Sequence, residues 1–200
     1  MKKLYLFRHG ETDWNKEHRI QCQTDIPLNE TGIQQAEKNA ELLKDKGIQV
    51  IYSSHLDRAF KTGEILAKKI NVDIIKDEGL AELNGGEWSG KKKEEIIELF
   101  GKASDGRANY DIFSHTRNDG MNLGYVGGET KQQTRDRFVN AVLNICKTSK
   151  YDIIGIASHG FVIREFIRMT DFEDDSGIEN CEYVEAEYDN GEIKIIGRAK

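Results

Sequence analysis

The sequence predicts an α/β fold: a three-layer sandwich, with a mostly parallel central sheet, helices on both faces and an antiparallel C-terminal edge. Three observations predict it. Short apolar runs of strand type alternate with segments of helical apolar spacing, the order that builds parallel sheets. Ile153-Ile154-Gly155-Ile156-Ala157 is apolar without interruption, as in a strand covered on both faces. Near the end, Val184, Ala186 and Tyr188 alternate with Glu185 and Glu187, and Asn190-Gly191 is a two-residue hairpin turn before Ile193 and Ile195.

The elements follow in order. The first strand covers about Lys3 to Phe7, and Gly10 lets the backbone turn after it. A loop, Gln21 to Leu28, holds the only proline, Pro27. Asn29 or Thr31 caps a helix whose apolar face is Ile33, Ala36, Ala40 and Leu43. Gly47, after Lys44 and Lys46, stops it. Val50 to Ser53 is a second strand. A helix starts within Ser54–Ala59 and places Ala59, Gly63, Leu66 and Ile70 on one face. Val72 to Ile75 is a third strand, and Gly79 to Gly90 is a glycine-rich turn region around Glu82 and Trp88. Lys91 to Phe100 reads as a short helix. Regular patterning then stops from Gly101 to Gly128. A helix from Glu129 to Lys147 aligns Phe138, Ala141, Val142 and Ile145, and another covers Phe161 to Met169. Residues 1–200 read as a single domain with an irregular insertion or lid at about 101–126.

Composition narrows the function classes. With 38% hydrophobic and 32% charged residues, the chain is of soluble globular type. A net charge of −6 sets nucleic acid aside, because phosphate-backbone binders are usually basic. No apolar stretch approaches membrane-spanning length and no signal peptide is visible, so a cytoplasmic protein is expected. Cys22, Cys146 and Cys181 have neither a disulfide pattern nor zinc-type spacing, and read as reduced thiols.

Three strands end alike. The first ends in Arg8-His9-Gly10, the second in Ser53-Ser54-His55-Leu56-Asp57-Arg58, and the strand after the insertion in Ser158-His159-Gly160. In a parallel sheet all three ends share one rim, where ligands of α/β proteins bind. Two guanidiniums there suit a phosphate, whose oxygens match paired N–H donors. Helix-start N–H groups near Gly160 add donors. Phosphoryl transfer also needs a nucleophile and an acid for the leaving oxygen; a neutral imidazole supplies the first and a protonated carboxyl the second.

These residues also resemble a known family. Leu6-Phe7-Arg8-His9-Gly10-Glu11-Thr12 with Asn15 resembles the signature of the histidine phosphatase superfamily, the phosphoglycerate mutase-like fold. Further blocks look similar in the same order. They are Asp25 to Ala36 around Pro27-Leu28; Tyr52 to Thr62 with Ser53-Ser54, Leu56 and Arg58-Ala59; Glu82 to Gly90; Gly127-Gly128-Glu129-Thr130; and Ser158-His159-Gly160. The resemblance covers most of the chain outside residues 101–126.

The resemblance implies roles. His9 would be the nucleophile, and Arg8, Arg58 and His159, with Gly160, would hold the transferring phosphoryl group. Glu82 would be the proton donor and acceptor. Asn15 and Gln21 would line the phosphate pocket. No metal and no other cofactor is implied; the partner is a small phosphorylated substrate, and the oligomeric state is left open. The chain departs from the family pattern at Cys22, where glycine is usual, and at Val126, where proline is usual.

The leading function is a phosphomonoester hydrolase of phosphatase type. Three alternatives stand beside it: a phosphoglycerate mutase, a non-catalytic phospho-ligand binding module, and a metallohydrolase using His9, His159 and Glu82. The family's mutases carry Glu-Arg-His-Tyr where this chain has Glu82-Leu83-Asn84-Gly85. Glu78 and Glu87 compete with Glu82 for the acid's role. His18, His55 and His115 read as structural or surface residues, with His55 close enough to the rim to support it. Trp14 and Trp88 read as packing residues and Lys91-Lys92-Lys93 as a solvated face.

Overall fold

The computed structural model describes residues 1–92, 94, 95, 98, 128–173 and 176–199. Strand β1 (Lys2–Arg8) leads to a one-turn helix α1 (Asp13–Lys16), helix α2 (Glu30–Leu43), strand β2 (Val50–Ser53), helix α3 (Asp57–Ile70) and strand β3 (Ile74–Lys76). Two 3₁₀ turns, Glu78–Leu80 and Gly86–Trp88, precede helix α4 (Lys131–Thr148), strand β4 (Ile153–Ser158) and helix α5 (Gly160–Ile167). The hairpin β5 (Tyr183–Asp189) and β6 (Glu192–Ala199) follows. Half of the expected helix over Lys91–Phe100, and all of the stretch 101–126, lies outside the described residues. Among the described residues, no helix is long and apolar enough to cross a membrane.

The strands form one sheet in the order β3-β2-β4-β1-β5-β6. β1, β4, β2 and β3 are parallel, and β5 and β6 are antiparallel, as the sequence predicts. Alternation in β1 sends Leu4 and Leu6 to one face and Tyr5 and Phe7 to the other. The first face is covered by Phe138, Val142 and Ile145 of α4 and Val162, Ile163 and Phe166 of α5. The second is covered by Ala40 and Leu43 of α2 and Leu66 and Ala67 of α3. Each fully buried Leu, Ile or Phe contributes about 1.5–3 kcal/mol through apolar burial. This explains why β1 and β4 are apolar without alternation.

Local signals explain most boundaries. Asn29 is the α2 cap, its side chain accepting the Gly32 N–H at 2.8 Å. Thr130 and Gln133 form a capping box at the start of α4, a motif whose cap is worth about 1 kcal/mol. The hairpin turn has Asn190 at φ 50° and Gly191 at φ 95°, both positive as a type I′ turn requires.

Two expectations are corrected. Ile33 is not on the buried face of α2; it is 38% exposed, and Gly32 takes that place. A Cβ on Gly32 would stand 2.0 Å from the Glu11 carbonyl oxygen, and one on Gly10 would stand 2.3 Å from the Gly32 oxygen. Two glycines thus let α2 press backbone to backbone on the loop after β1. β3 starts at Ile74 rather than Val72, because Asn71 turns left-handed at φ 54° and the Val72 N–H closes α3 on the Ala67 carbonyl. α3 starts at Asp57, within the expected segment, while the Ser54 N–H is still bonded to the Ala157 carbonyl on the sheet rim.

Candidate active site

The carboxyl ends of β1, β4 and β2 lie side by side. Arg8 pairs in register with Ser158, and Ser53 with Ala157. The ladder continues one residue further: the His9 N–H donates to the Ser158 carbonyl at 3.0 Å, and the Ser54 N–H to the Ala157 carbonyl at 3.0 Å. His9 and His159 therefore leave the sheet together, with ring centroids 5.3 Å apart. The sheet, not the loops, fixes the two imidazoles.

Each ring has one nitrogen engaged by a neighbour. His9 Nδ1 lies 2.7 Å from the Gly10 carbonyl oxygen. A carbonyl only accepts, so Nδ1 carries the proton and Nε2 carries the free lone pair. His159 Nε2 lies 2.8 Å from Ser54 Oγ, which accepts the Leu56 N–H at 3.3 Å. Where the hydroxyl donates to Nε2, His159 Nδ1 carries the ring's N–H, and among the described residues that nitrogen is buried without a partner. One ring thus offers a nucleophile and the other a donor.

Arg58, from the first turn of α3, is fully buried. Its terminal nitrogens donate to the carbonyls of Thr24 (2.8 Å) and Cys22 (2.6 Å), while Nε has no partner. Arg8 donates to the Ile178 carbonyl at 2.7 Å, and its Nε is also buried and unpartnered. A Cβ on Gly160 would lie 3.3 Å from Arg8 Cδ and Nε, so this glycine leaves room for the guanidinium. Among the described residues, neither arginine forms an ion pair. Burial lowers the Arg58 pKa to about 10 and lowers that of Arg8, with the Glu82 carboxylate opposing in both cases.

Burial is also the largest cause that holds both imidazoles well below the usual histidine value, and Arg58 and Arg8 add to it. The sign of the consequence is fixed. In the unfolded chain these rings take up protons near pH 6.5, whereas in the folded chain they stay neutral. Stability is therefore lost as pH falls through about 6.5. We expect the unfolding free energy, measured by urea titration between pH 7 and 5, to fall more steeply for the wild type than for His9→Asn. Equal slopes would rule out a buried neutral His9.

Glu82 stands in the loop after the first 3₁₀ turn. Its carboxylate accepts the N–H of Leu83 at 2.9 Å and of Phe161, in the first turn of α5, at 3.2 Å. It lies within electrostatic reach of Arg8 and Arg58. Glu78 is exposed. Asn15 completes a capping box with Thr12, and its Oδ1 also accepts from Asn180 at 3.3 Å. Gln21 is buried with its side-chain oxygen unpartnered. Among the described residues, no three His, Cys, Asp or Glu side chains gather into a metal-ligating set.

The sheet order, the paired rim and these orphaned donors frame the comparison with known proteins. The family model of the histidine phosphatase superfamily, branch 1, matches residues 4–199. The chain belongs to the histidine phosphatase superfamily. It is 37% identical over 164 residues to phosphoglycerate mutase-like protein 4 of Arabidopsis thaliana, covering 81% of this chain and 68% of that one. The chain spans about two thirds of the length of the curated relatives it matches. Among solved structures, phosphoglycerate mutase from Bacillus anthracis is 25% identical with a TM-score of 0.83, covering 98% of this chain and 91% of the other. A phosphoserine phosphatase from Entamoeba histolytica, in complex with 3-phosphoglyceric acid, is 28% identical with a TM-score of 0.76, covering 100% and 98%. This member of the superfamily therefore has both phosphatases and mutases among its likenesses.

Within the superfamily pattern, the departure at Cys22 has a structural reading. Cys22 sits at φ 48°, the left-handed region that glycine enters without penalty. A non-glycine residue thus adopts a backbone conformation that glycine favours, and the Cys22 carbonyl holds Arg58. His18 is exposed, His55 has an unpartnered buried Nδ1, and His115 lies outside the described residues. Trp14 lies beneath the Arg19 guanidinium, 5.5 Å from ring centroid to cation, in a packing role.

Sequence reasoning missed four contributors. Ser54 is hydrogen-bonded to His159 Nε2. The Thr62 hydroxyl accepts the Gly10 N–H at 3.0 Å and donates to the Arg58 carbonyl at 2.8 Å, joining β1 to α3. The Asn180 side chain donates to the His9 carbonyl at 2.9 Å. Arg137 of α4 holds the backbone of the Glu82 loop. Ser54 and Thr62 lie inside a family-like block, but Asn180 and Arg137 stand in stretches with no local signal.

Proposed function

We propose that the chain is a phosphomonoester phosphatase that acts on a small phosphorylated metabolite through a phosphohistidine at His9. One observation carries this reading. Among the described residues, the fully buried Arg58 has no ion pair and lies beside a second guanidinium and an imidazole, and Arg58 Nε, Arg8 Nε and His159 Nδ1 are buried nitrogens without partners. Such a cluster is costly when empty. A phosphomonoester is nearly a dianion at neutral pH, so it supplies the missing charge and acceptors together.

In this reading His9 Nε2 attacks phosphorus while its Nδ1–H stays on the Gly10 carbonyl, which stabilises the positive ring. The ester P–O bond breaks in line, and Glu82 gives its proton to the leaving oxygen. A water then gives a proton back to Glu82 and its oxygen attacks phosphorus. The N–P bond breaks and neutral His9 returns. Ester and water become alcohol and phosphate, and no step uses a metal. Asn15 and Gln21 line the pocket.

The likeness to phosphoglycerate mutases favours a second outcome, return of the phosphoryl group to another hydroxyl. The test is a panel of phosphomonoesters that includes phosphoserine and 3-phosphoglycerate, assayed with chelator present. We expect free phosphate to be released, with the rate unchanged by chelator. Interconversion of 2- and 3-phosphoglycerate without phosphate release would replace the phosphatase by a mutase. Binding without turnover across the panel would leave a phospho-ligand module.

A further inference from the structure

Beyond the rim lie a polar hollow near Ser176, Glu182 and Arg198 and the ion pairs around Glu165. In the hollow, Glu182 and Arg198 satisfy one another. Glu165 is shared between Lys131 and Arg168. A stronger feature lies behind the Glu82 loop, and it rests on the role proposed above for Glu82.

Arg137 uses three of its five donors on this loop. Nη1 donates to the carbonyls of Gly79 and Ala81, both at 2.9 Å, and Nη2 donates to the Glu82 carbonyl at 3.0 Å. Its remaining donors form a two-pronged bond with the Glu129 carboxylate, Nε to Oε1 at 2.7 Å and Nη2 to Oε2 at 2.8 Å. Glu129 reaches the far side of the same loop: its Oε2 accepts the Asn84 N–H at 2.9 Å, and its own N–H donates to the Asn84 carbonyl at 2.8 Å. Burial alone would raise the Glu129 carboxyl, but the bonds from Arg137 and from Asn84 outweigh it and hold the group below its ordinary value. The pair therefore grips the backbone on both sides of Glu82, at residues 79, 81, 82 and 84.

The grip matters because Glu82 has little else to fix it. Its side chain rests on two backbone N–H groups, and its carbonyl takes one further bond, from the Gln23 side chain at 2.8 Å. The stretch from Ala81 to Gly85 is neither helix nor strand. General-acid catalysis depends on the donor reaching one oxygen at hydrogen-bond distance, and a displacement of about 1 Å can cost about 10²-fold. A planar guanidinium with five donors holds several carbonyls at once, which a lysine cannot do.

We propose that Arg137, locked by Glu129, is the positioning residue for Glu82, and that it sets how well the acid reaches the leaving oxygen. Arg137 touches no reacting atom, so its effect depends on how much the leaving group needs a proton. The test compares kcat/KM for p-nitrophenyl phosphate, whose leaving group needs little help, with that for an alkyl phosphate such as glycerol phosphate. For Arg137→Met we expect a loss of about 10- to 10²-fold with the alkyl ester and less than about 3-fold with the aryl ester. Glu129→Gln, which keeps the shape but weakens the grip, should show the same asymmetry in smaller measure. Arg137→Lys should recover part of the loss.

The changes must also fail to add: in a Glu82→Gln background, Arg137→Met should cost nothing further with the alkyl ester. Equal losses with both esters, or full additivity with Glu82→Gln, would overturn the proposal by making Arg137 a general structural residue. If Arg137→Met does not fold, Glu129→Gln carries the same comparison. If Glu82→Gln itself shows no leaving-group dependence, the assignment of Glu82 fails instead, and the two failures are distinct.

Discussion

Replacing His9 by alanine is expected to abolish turnover of every phosphomonoester, by roughly 10⁴- to 10⁶-fold, the scale on which enzymes lose a covalent nucleophile. The expectation comes from the geometry of one ring. Nδ1 is committed to the Gly10 carbonyl, so Nε2 keeps its lone pair. Burial and two arginines keep that lone pair free of a proton, so the ring need not lose one before it attacks. The barrel of neighbouring donors remains in the variant, because Arg8, Arg58 and His159 are held by Ile178, by Thr24 and Cys22, and by Ser54. Phosphate should therefore still bind to His9→Ala while catalysis is lost. In the wild type, mixing with ³²P-labelled substrate and quenching in base should trap one acid-labile phosphoryl group per chain. Residual turnover above about one part in 10² of the wild type would remove the covalent step.

The second large effect is expected for Glu82→Gln. Glutamine matches the carboxylate in shape but has no acidic proton to give. For an alkyl phosphate the loss in kcat/KM should be about 10²- to 10⁴-fold, the usual contribution of a general acid. For an aryl phosphate with a good leaving group it should be much smaller. Phosphoenzyme should also break down more slowly, because the same group receives the proton of the attacking water. A negligible loss with the alkyl ester would move the acid elsewhere, with Glu87 the next residue to change and exposed Glu78 after it.

Much of the molecule was legible because its signals are local or periodic. The strand–helix alternation, the Asn29 cap, the Asn190-Gly191 turn and the apolar β4 each depend on residues within a few positions of one another. The rim was legible for a second reason: a parallel sheet gathers strand ends on one side, so Arg8, His9 and His159 could be brought together without knowing any loop. The unread parts are long-range. Ser54 meets His159 across 105 positions, Asn180 meets the His9 carbonyl across 171, and Arg137 meets Glu82 across 55. No spacing rule relates such residues, and each acts through a backbone group or a second side chain. Ile33 shows the limit of periodicity itself. The apolar pattern of α2 was sound, but a backbone contact at Gly32 rotated the buried face by one residue.

The sheet order also bears on how the chain acquires its shape. β1 has β4 and β5 as its neighbours. Both lie beyond residue 152, so during synthesis the strand that ends in Arg8 waits with both edges unpaired until most of the chain has appeared. Pairing across such distances closes large loops and slows folding. An apolar strand left unpaired is also a template for association between chains. The arrangement that lets two distant imidazoles share a rim is thus also the one that makes nascent chains of this protein most vulnerable before β4 emerges.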